Sequence, residues 1–201
     1  WSKSIATHDT NVSTDLVVSA NGDVYAAGAF EGTVDFDPSS KTKYVSSGPN
    51  RAGFVLKLDT NGKFGWVSPF VSKTVGSTSG YSAVHSLALD GNGNVIAGGA
   101  YGDTVDFNPG TGITTLPTIG GTFITKLNSS GGLVWARALE RSSGYPYTPG
   151  IDVDAGGNIY ATGYFSGTID LDPGTGVDVR TSAGGNDIYV VKLTSSGNYS
   201  W

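Results

Sequence analysis

The sequence predicts an all-β fold built from one four-stranded antiparallel unit that occurs three times. One phrase recurs along the chain, as GDVYAAGAFEGTVDFDP, GNVIAGGAYGDTVDFNPG and GNIYATGYFSGTIDLDPG, beginning at Gly22, Gly93 and Gly157. Four tryptophans keep nearly the same spacing, with separations of 65, 69 and 66 residues: Trp1, Trp66, Trp135 and Trp201. The 31 glycines are typical of many short strands joined by tight turns. Together these observations indicate a chain of stacked repeats.

Each of the last three tryptophans closes a predicted β-hairpin. The segments have identical Lys-to-Trp length and run from Lys57 to Trp66, from Lys126 to Trp135 and from Lys192 to Trp201. A glycine falls in each loop at the place where a short hairpin requires positive φ: Gly62, Gly131 and Gly197. Two antiparallel strands therefore meet at each of these loops.

Three apolar segments in each unit supply the remaining strands. The first set is 16–18, 87–89 and 151–153; the second is 24–28, 95–99 and 159–163; the third, which leads into the hairpin, is 54–56, 123–125 and 189–191. Small residues dominate the second strand and favour close packing of one sheet on the next.

A four-stranded unit with a Trp in its last strand predicts a β-propeller blade. The three blades are expected at 1–66, which starts with the last strand of a preceding blade, at 67–135 and at 136–201, in one continuous body. A solenoid with rungs of about 66 residues is the alternative architecture.

Strand direction predicts which connections share a face. In an up-and-down blade the two tight turns lie on one face, whereas the connections from the second to the third strand and from blade to blade lie on the other. The second-to-third connections are long, at about 25 residues. The elaborated face is therefore the expected binding face, since loops held by a rigid scaffold are where binding usually resides.

The order D-x-x-GN-x-Y-x-x-G, then DFDPG, then FV-x-KL…G…W resembles the SBBP-type propeller repeats of large secreted and cell-surface bacterial proteins. The resemblance covers essentially the whole chain and implies a surface-exposed or adhesive scaffold. Departures include Asn108 in place of the second Asp and Leu171 in place of Phe.

Composition excludes several classes of protein and site. A net charge of -5 argues against nucleic-acid binding, which needs a basic face. The absence of cysteine excludes disulfides and thiolate sites. The sequence has no apolar run of membrane-spanning length and no signal peptide, so membrane insertion is not expected.

Three blades are fewer than the four to eight that usually close a propeller. The chain begins at Trp1 without an initiator Met, which favours a piece of a longer polypeptide. The expected partners are the remaining blades of a longer chain or further copies of this one.

Acidic pairs recur at the start of each long connection and are the candidate metal site. They are Asp35 and Asp37, Asp106 and Asn108, and Asp170 and Asp172. Side chains at i and i+2 of an extended segment project from one face while the residue between them packs inward. These oxygens, with nearby carbonyls, predict a calcium site, which takes six to eight oxygens. The alternative is that the acids bond to local backbone in an Asx-Pro turn.

Catalysis has weaker support than binding. Paired carboxylates occur in glycosidases, but those need unlike environments around one cleft, and a motif repeated in each blade gives equivalent environments. His8 and His85 do not match in the repeat, and His85 is expected just before a first strand as a hydrogen-bonded structural residue. A propeller-type polysaccharide lyase or hydrolase is the alternative function.

Other recurring residues have both a structural and a binding interpretation. Lys57, Lys126 and Lys192 could contact an anionic ligand, or could pack their stems while the ammonium stays solvated or meets an Asp. Most aromatic residues follow the repeat and are interpreted as inter-blade core rather than sugar-stacking surfaces. Tyr145 and Tyr147, in a loop that does not repeat, and Tyr81 are the candidate ligand-binding residues.

The expected function is a non-catalytic propeller scaffold for adhesion, assembly or ligand and glycan binding. Its expected location is extracellular or on the bacterial cell surface, and its expected partners outside the ring are surface glycans or proteins.

Overall fold

The structure is a computed structural model that describes residues 1–5, 11–73, 80–116, 120–141 and 147–201. Over these ranges the chain forms sixteen β-strands and no helix. The strands are β1 (Val12–Val18), β2 (Val24–Phe30), β3 (Thr33–Asp35), β4 (Tyr44–Ser46), β5 (Ala52–Leu58), β6 (Phe64–Ser72), β7 (Tyr81–Leu89), β8 (Val95–Gly102), β9 (Val105–Asp106), β10 (Gly121–Leu127), β11 (Leu133–Arg141), β12 (Tyr147–Val153), β13 (Ile159–Phe165), β14 (Thr168–Asp170), β15 (Val179–Thr181) and β16 (Asp187–Leu193).

The strands form repeated antiparallel meanders, as predicted. The first unit is ordered β1-β2-β5-β6, the second β7-β8-β10-β11 and the third β12-β13-β16. Neighbouring strands within each unit are antiparallel. The tight turns therefore lie at one end of the strands, the tight-turn end, and the long connections lie at the other, the long-connection end. The all-β class with repeated sheets is confirmed, whereas the propeller arrangement and the blade boundaries stay predictions.

The first strands of the three units, β1, β7 and β12, begin earlier than predicted because each contains a β-bulge. The register shifts between Ser13 and Asp15 and between Val84 and Ser86, with the corresponding irregularity in β12. A Cβ placed on Gly28 of β2 would lie 1.9 Å from the carbonyl oxygen of Val12. This glycine is therefore required by a bulge in its own sheet, and not only by packing between sheets.

The long connections carry strands that the sequence did not predict. β3 and β4 form a small hairpin, and β14 and β15 form another. β9 pairs with β6 of the preceding unit, and β14 pairs with β11 in the same way. The second and third connections thus extend the sheet of the unit before them, giving sheets of five and six strands, whereas β3 and β4 form a separate two-stranded sheet.

Apolar clusters hold consecutive units together. One cluster joins Tyr25, Ala27 and Val55 of the first unit to residues of the second, including Leu87 and Phe123. A second cluster joins residues of the second and third units: Ile96, Ile124, Trp135, Leu139, Ile159, Ala161, Phe165, Ile169, Leu171, Tyr189, Val191 and Leu193. The repeating aromatic residues therefore belong largely to the core, as predicted, and the core lies between sheets.

Candidate functional site

The contact that recurs at every boundary between units joins a tryptophan to the hairpin of the next unit. Trp1, Trp66 and Trp135 donate from Nε1 to the carbonyl oxygens of Thr60, Ser129 and Ser195, at 2.9, 3.0 and 3.3 Å. In each case the indole ring covers the loop glycine. A Cβ on Gly62, Gly131 or Gly197 would lie 2.8, 2.7 or 3.0 Å from the ring. We call this arrangement the Trp–Gly junction.

The hairpin loops have the backbone conformation that the junction needs. Gly62, Gly131 and Gly197 have φ of 73°, 84° and 77°, which confirms the predicted positive φ. In each loop the glycine N–H donates to the carbonyl three residues earlier, at 2.8 to 2.9 Å. Only a residue without a side chain fits both this φ and the ring above it.

A second donor reaches two of the three junction glycines beside the tryptophan. Ser68 donates from Oγ to the carbonyl of Gly131 at 2.8 Å, and Arg137 donates from Nε to the carbonyl of Gly197 at 3.1 Å. Ser68 and Arg137 occupy the same repeat position. The bond is therefore kept although the donor residue differs.

Two of the three recurring lysines meet acids, which was one of the two interpretations left open. Lys126 Nζ lies 2.9 Å from Asp90 Oδ2, and both residues are buried. Lys57 Nζ lies 2.8 Å from Asp23 Oδ2. Lys192 instead lies over the ring of Tyr160, 5.1 Å from its centroid.

In the first unit, the acid that pairs with the lysine stands at a different position of the turn. Asp90 opens its turn, whereas Ser19 stands at that place in the first unit and Asp23 lies four residues later. Burial acts to raise the pKa of Asp90, but hydrogen bonds from Asn94 and Lys126 outweigh it and leave that pKa lowered. A hydrogen bond from Lys57 lowers the pKa of Asp23. The pair of charges is thus kept at two different sequence positions.

The acidic pairs all make the same hydrogen bonds to backbone. The first acid accepts two amides with Oδ1: Asp35 from Asp37 and Lys43, Asp106 from Asn108 and Thr114, Asp170 from Asp172 and Asp178, at 2.7 to 3.1 Å. The second accepts the amide two residues on: Ser39 to Asp37, Gly110 to Asn108, Gly174 to Asp172, at 2.8 to 2.9 Å. The residues between them, Phe36, Phe107 and Leu171, are buried as predicted.

One remaining oxygen of these pairs meets a lysine. Asp106 Oδ2 lies 3.4 Å from Lys73 Nζ, beside a groove of about 290 Å³ between β6 and the loop that follows β9. Hydrogen bonds from Ser39 lower the pKa of Asp37. Among the described residues no group of three or more His, Cys, Asp or Glu side chains could hold a metal. Calcium binding by these loops stays a prediction.

Two of the predicted ligand-binding tyrosines lie in the described part of the chain, at the long-connection end of the strands. Tyr81 is the first residue of β7 and is partly exposed, and Tyr147 is the first residue of β12. Tyr145 lies outside the described residues, as does His8.

His85 lies inside β7, at its bulge, and not before the strand as the sequence suggested. The predicted position of His85 was wrong because the apolar pattern of this strand begins only at Leu87. Burial and the charge of Arg51 lower the pKa of His85 to about 4. The imidazole is therefore neutral at neutral pH.

Sequence reasoning missed the Trp–Gly junction, although the common spacing of Trp and loop Gly was its signal.

Comparisons with models of protein families and with curated proteins found no match to this chain. No helix in the described ranges is long and apolar enough to cross a membrane.

Proposed function

We propose that the chain is the repeating body of a non-catalytic β-propeller scaffold that presents loops on one face for adhesion, assembly or glycan binding. The observation that carries the proposal is the Trp–Gly junction, which occurs in the same form at Gly62, Gly131 and Gly197. A repeated lock between consecutive sheets is what a stacked scaffold requires. Further units, from a longer chain or from other copies, complete the ring.

The two ends of the strands differ in a way that supports one binding face. The tight-turn end carries short loops that are closed by their own backbone hydrogen bonds. The long-connection end carries the β3–β4 and β14–β15 hairpins, the acidic loops and Tyr81. Loops that vary at one end of a rigid sheet suit recognition of a partner.

The acidic loops support a scaffold more than a hydrolase. In all three units the first acid closes its loop by accepting two backbone amides. A general acid and its partner need environments that separate their pKa values, and equivalent loops do not provide them. The carboxylates therefore act as turn-forming groups in this proposal.

The proposed setting is extracellular, on or near a bacterial surface, in keeping with the resemblance to SBBP-type repeats. The net charge of -5 favours partners other than nucleic acid. Surface glycans and surface proteins are the ligand classes that fit an exposed tyrosine at a loop edge.

A glycan array read with matched variants tests this function. The parent chain is expected to bind a subset of bacterial surface glycans and to leave them intact. Tyr81→Ala is expected to weaken that binding at least tenfold. Asn92→Ala, in a tight turn at the opposite end of the strands, is expected to leave it unchanged. Silence on the array, or equal binding by both variants, would count against the proposal. Release of shortened sugar products would favour a polysaccharide-active enzyme instead.

A further inference from the structure

The groove between β6 and the loop that follows β9 is lined by apolar and polar residues together. We call it the Lys73 groove. Its apolar lining comes from Pro69 and Val71 of β6 and from Ile113, and its polar lining comes from Lys73, Asp106 and the loop residues 108–112. Its volume of about 290 Å³ equals the space of roughly ten water molecules. The groove is therefore larger than a bare ion needs and suits one small organic molecule.

A lysine and a carboxylate stand side by side in this groove. Lys73 Nζ lies 3.4 Å from Asp106 Oδ2, which is longer than a charge-assisted hydrogen bond of about 2.8 Å. The lysine side chain is 48% exposed, whereas that of the acid is 6% exposed. Oδ1 of Asp106 already accepts the amides of Asn108 and Thr114. Oδ2 and the ammonium are therefore the groups of this pair that remain for a ligand.

Asn108 brings a side-chain amide to the same groove. Its Oδ1 accepts the backbone amide of Gly110 at 2.9 Å, which turns the carbonyl side of the group towards the loop. The other side, Nδ2, lies across Gly112, where an added Cβ would stand 2.7 Å from it. In the third unit Asp172 makes the equivalent bond, and there a carboxylate oxygen lies across Gly176. The second unit thus places a donor where the third places an acceptor.

The strand side of the groove also differs between units. By their distance from the repeated tryptophan, Val71 and Lys73 correspond to Glu140 and Ser142. Val71 pairs with Asp106, whereas Glu140 pairs with the corresponding acid of the third unit. Of these two places, the one beside β6 combines an apolar strand residue with a lysine, and the one beside β11 gathers further negative charge.

The charges in the Lys73 groove favour a neutral ligand. A cation meets the ammonium of Lys73 beside Asp106 Oδ2, and Asn108 supplies no charge to offset it. An anion that approaches the ammonium meets the carboxylate next to it. A hydroxyl group both donates and accepts, so neighbouring hydroxyls bond to the carboxylate and to the ammonium at once. A ligand with several hydroxyls on an apolar frame therefore matches the groove.

We propose that the Lys73 groove holds one pyranose residue of a neutral glycan. Hydroxyl groups of the sugar bond to Asp106 Oδ2, Lys73 Nζ and Asn108 Nδ2, and its C–H groups pack on apolar side chains of the groove. One of these, Ile113, is 71% exposed and becomes covered by the sugar. This inference rests on the glycan binding of the proposed function and names the place that holds one sugar.

The groove lies next to the start of β7, where Tyr81 is the proposed glycan contact. A Cβ on Gly80 would clash with Oγ of Ser72, so the residue before Tyr81 contacts the residue before Lys73. Both places lie at the long-connection end of the strands. One oligosaccharide can therefore contact Tyr81 and place a further sugar in the Lys73 groove.

Amide NMR spectra recorded during titration test the groove, with methyl glycosides of glucose, galactose, mannose and N-acetylglucosamine as probes. At least one probe is expected to give saturable shifts at the amides of Lys73, Gly110 and Gly112. Asn108→Asp is expected to weaken that binding about tenfold, because an acceptor replaces the donor. The loop keeps its fold in this variant, since Asp172 makes the equivalent bond in the third unit, and thermal melts verify it.

Ile113→Ala and Val177→Ala form a matched pair of variants. The two residues occupy the same repeat position and are 71% and 76% exposed. Ile113→Ala is expected to weaken sugar binding about fivefold through lost apolar contact, whereas Val177→Ala leaves it unchanged. Lys73→Met keeps most of the side-chain length but removes the donors, and is expected to weaken binding about tenfold.

Further probes separate the classes of ligand. Saturable shifts of the same amides with calcium chloride alone, or tighter binding of methyl glucuronide than of methyl glucoside, would overturn the neutral-sugar assignment. So would the absence of saturable shifts, or equal binding by the parent and Asn108→Asp.

The glycan array separates the groove from the proposed function. Array binding that Tyr81→Ala weakens but Asn108→Asp leaves unchanged would overturn the groove alone. An array silent towards surface glycans, with a methyl glycoside still bound in the groove, would count only against the proposed function.

Discussion

The indole ring of Trp66 lies directly on the backbone of Gly131, in the hairpin loop of the following unit. Trp66 Cδ2 is 2.7 Å from the place where a Cβ on Gly131 would stand, and Nε1 donates to the carbonyl of Ser129 at 3.0 Å. The loop that closes one sheet is thereby the surface on which the previous sheet rests. Turn chemistry within one unit and packing between units depend on the same glycine.

Gly131→Ala is expected to lower the free energy of unfolding by about 3 kcal/mol, since it combines an unfavourable φ with a clash against the ring. Gly93→Ala is the matched control. Gly93 has φ 75° in a similar turn, but nothing lies within 4 Å of its added Cβ. The control is expected to cost about 1 kcal/mol. Urea denaturation measures both, and equal costs would show that the ring contact contributes nothing.

Asp23→Asn is expected to destabilise the chain by about 1 kcal/mol because it leaves Lys57 without its charged partner. Adding Ser19→Asp to that variant recreates the arrangement of Asp90 and Asn94 in the second unit. The double variant is expected to recover most of the lost stability in thermal melts. If the added acid lowers stability further, the two turns are not equivalent.

Substitutions at the two positions of an acidic loop are expected to change stability by different amounts. Asp172→Asn is expected to leave stability nearly unchanged, because Asn108 already makes the same amide contact in the second unit. Asp170→Ala removes the acceptor of two backbone amides and is expected to destabilise by about 2 kcal/mol.

Calcium binding gives a different pattern in the same loops. If the loops hold calcium, EDTA lowers the melting temperature of the parent, and Asp172→Asn reduces that shift because a charged ligand is lost. A melting curve unaffected by EDTA, together with a neutral Asp172→Asn, leaves only the turn-forming role.

His85 predicts a loss of stability in mild acid. Its folded pKa of about 4 lies below the ordinary value of 6.5, so the unfolded chain binds a proton at a higher pH than the folded chain does. The free energy of unfolding is therefore expected to fall as the pH drops from about 6.5 to about 4. Denaturation at a series of pH values should show a shallower slope for His85→Gln. An identical slope in parent and variant would contradict the assignment.

The sequence contained most of the local structure of each unit. Turn glycines, buried residues between the acids and antiparallel hairpins are encoded within a few residues, so the repeat displayed them directly. Gly62, Gly131 and Gly197 are placed by spacing alone. The choice between calcium and turn chemistry at Asp35 or Asp170 was open because both use the same oxygens.

Contacts between units were harder to predict, because they join residues far apart in the chain. Trp66 and Gly131 are separated by a whole unit, and the pairing of β14 with β11 rests on two residue pairs that carry no periodic signal. The bulge at His85 was hidden for a related reason. A bulge interrupts the alternation that reveals a strand, so the sequence pattern places the start of β7 at Leu87.

A double-mutant cycle on Trp66 and Gly131 tests the junction most directly. Trp66→Leu removes the large ring while keeping an apolar side chain at the boundary between the units. In that background Gly131→Ala is expected to cost about 1 kcal/mol, the φ cost alone, in place of about 3 kcal/mol in the parent. A cost of about 3 kcal/mol in both backgrounds would contradict the junction as the contact that locks one unit to the next.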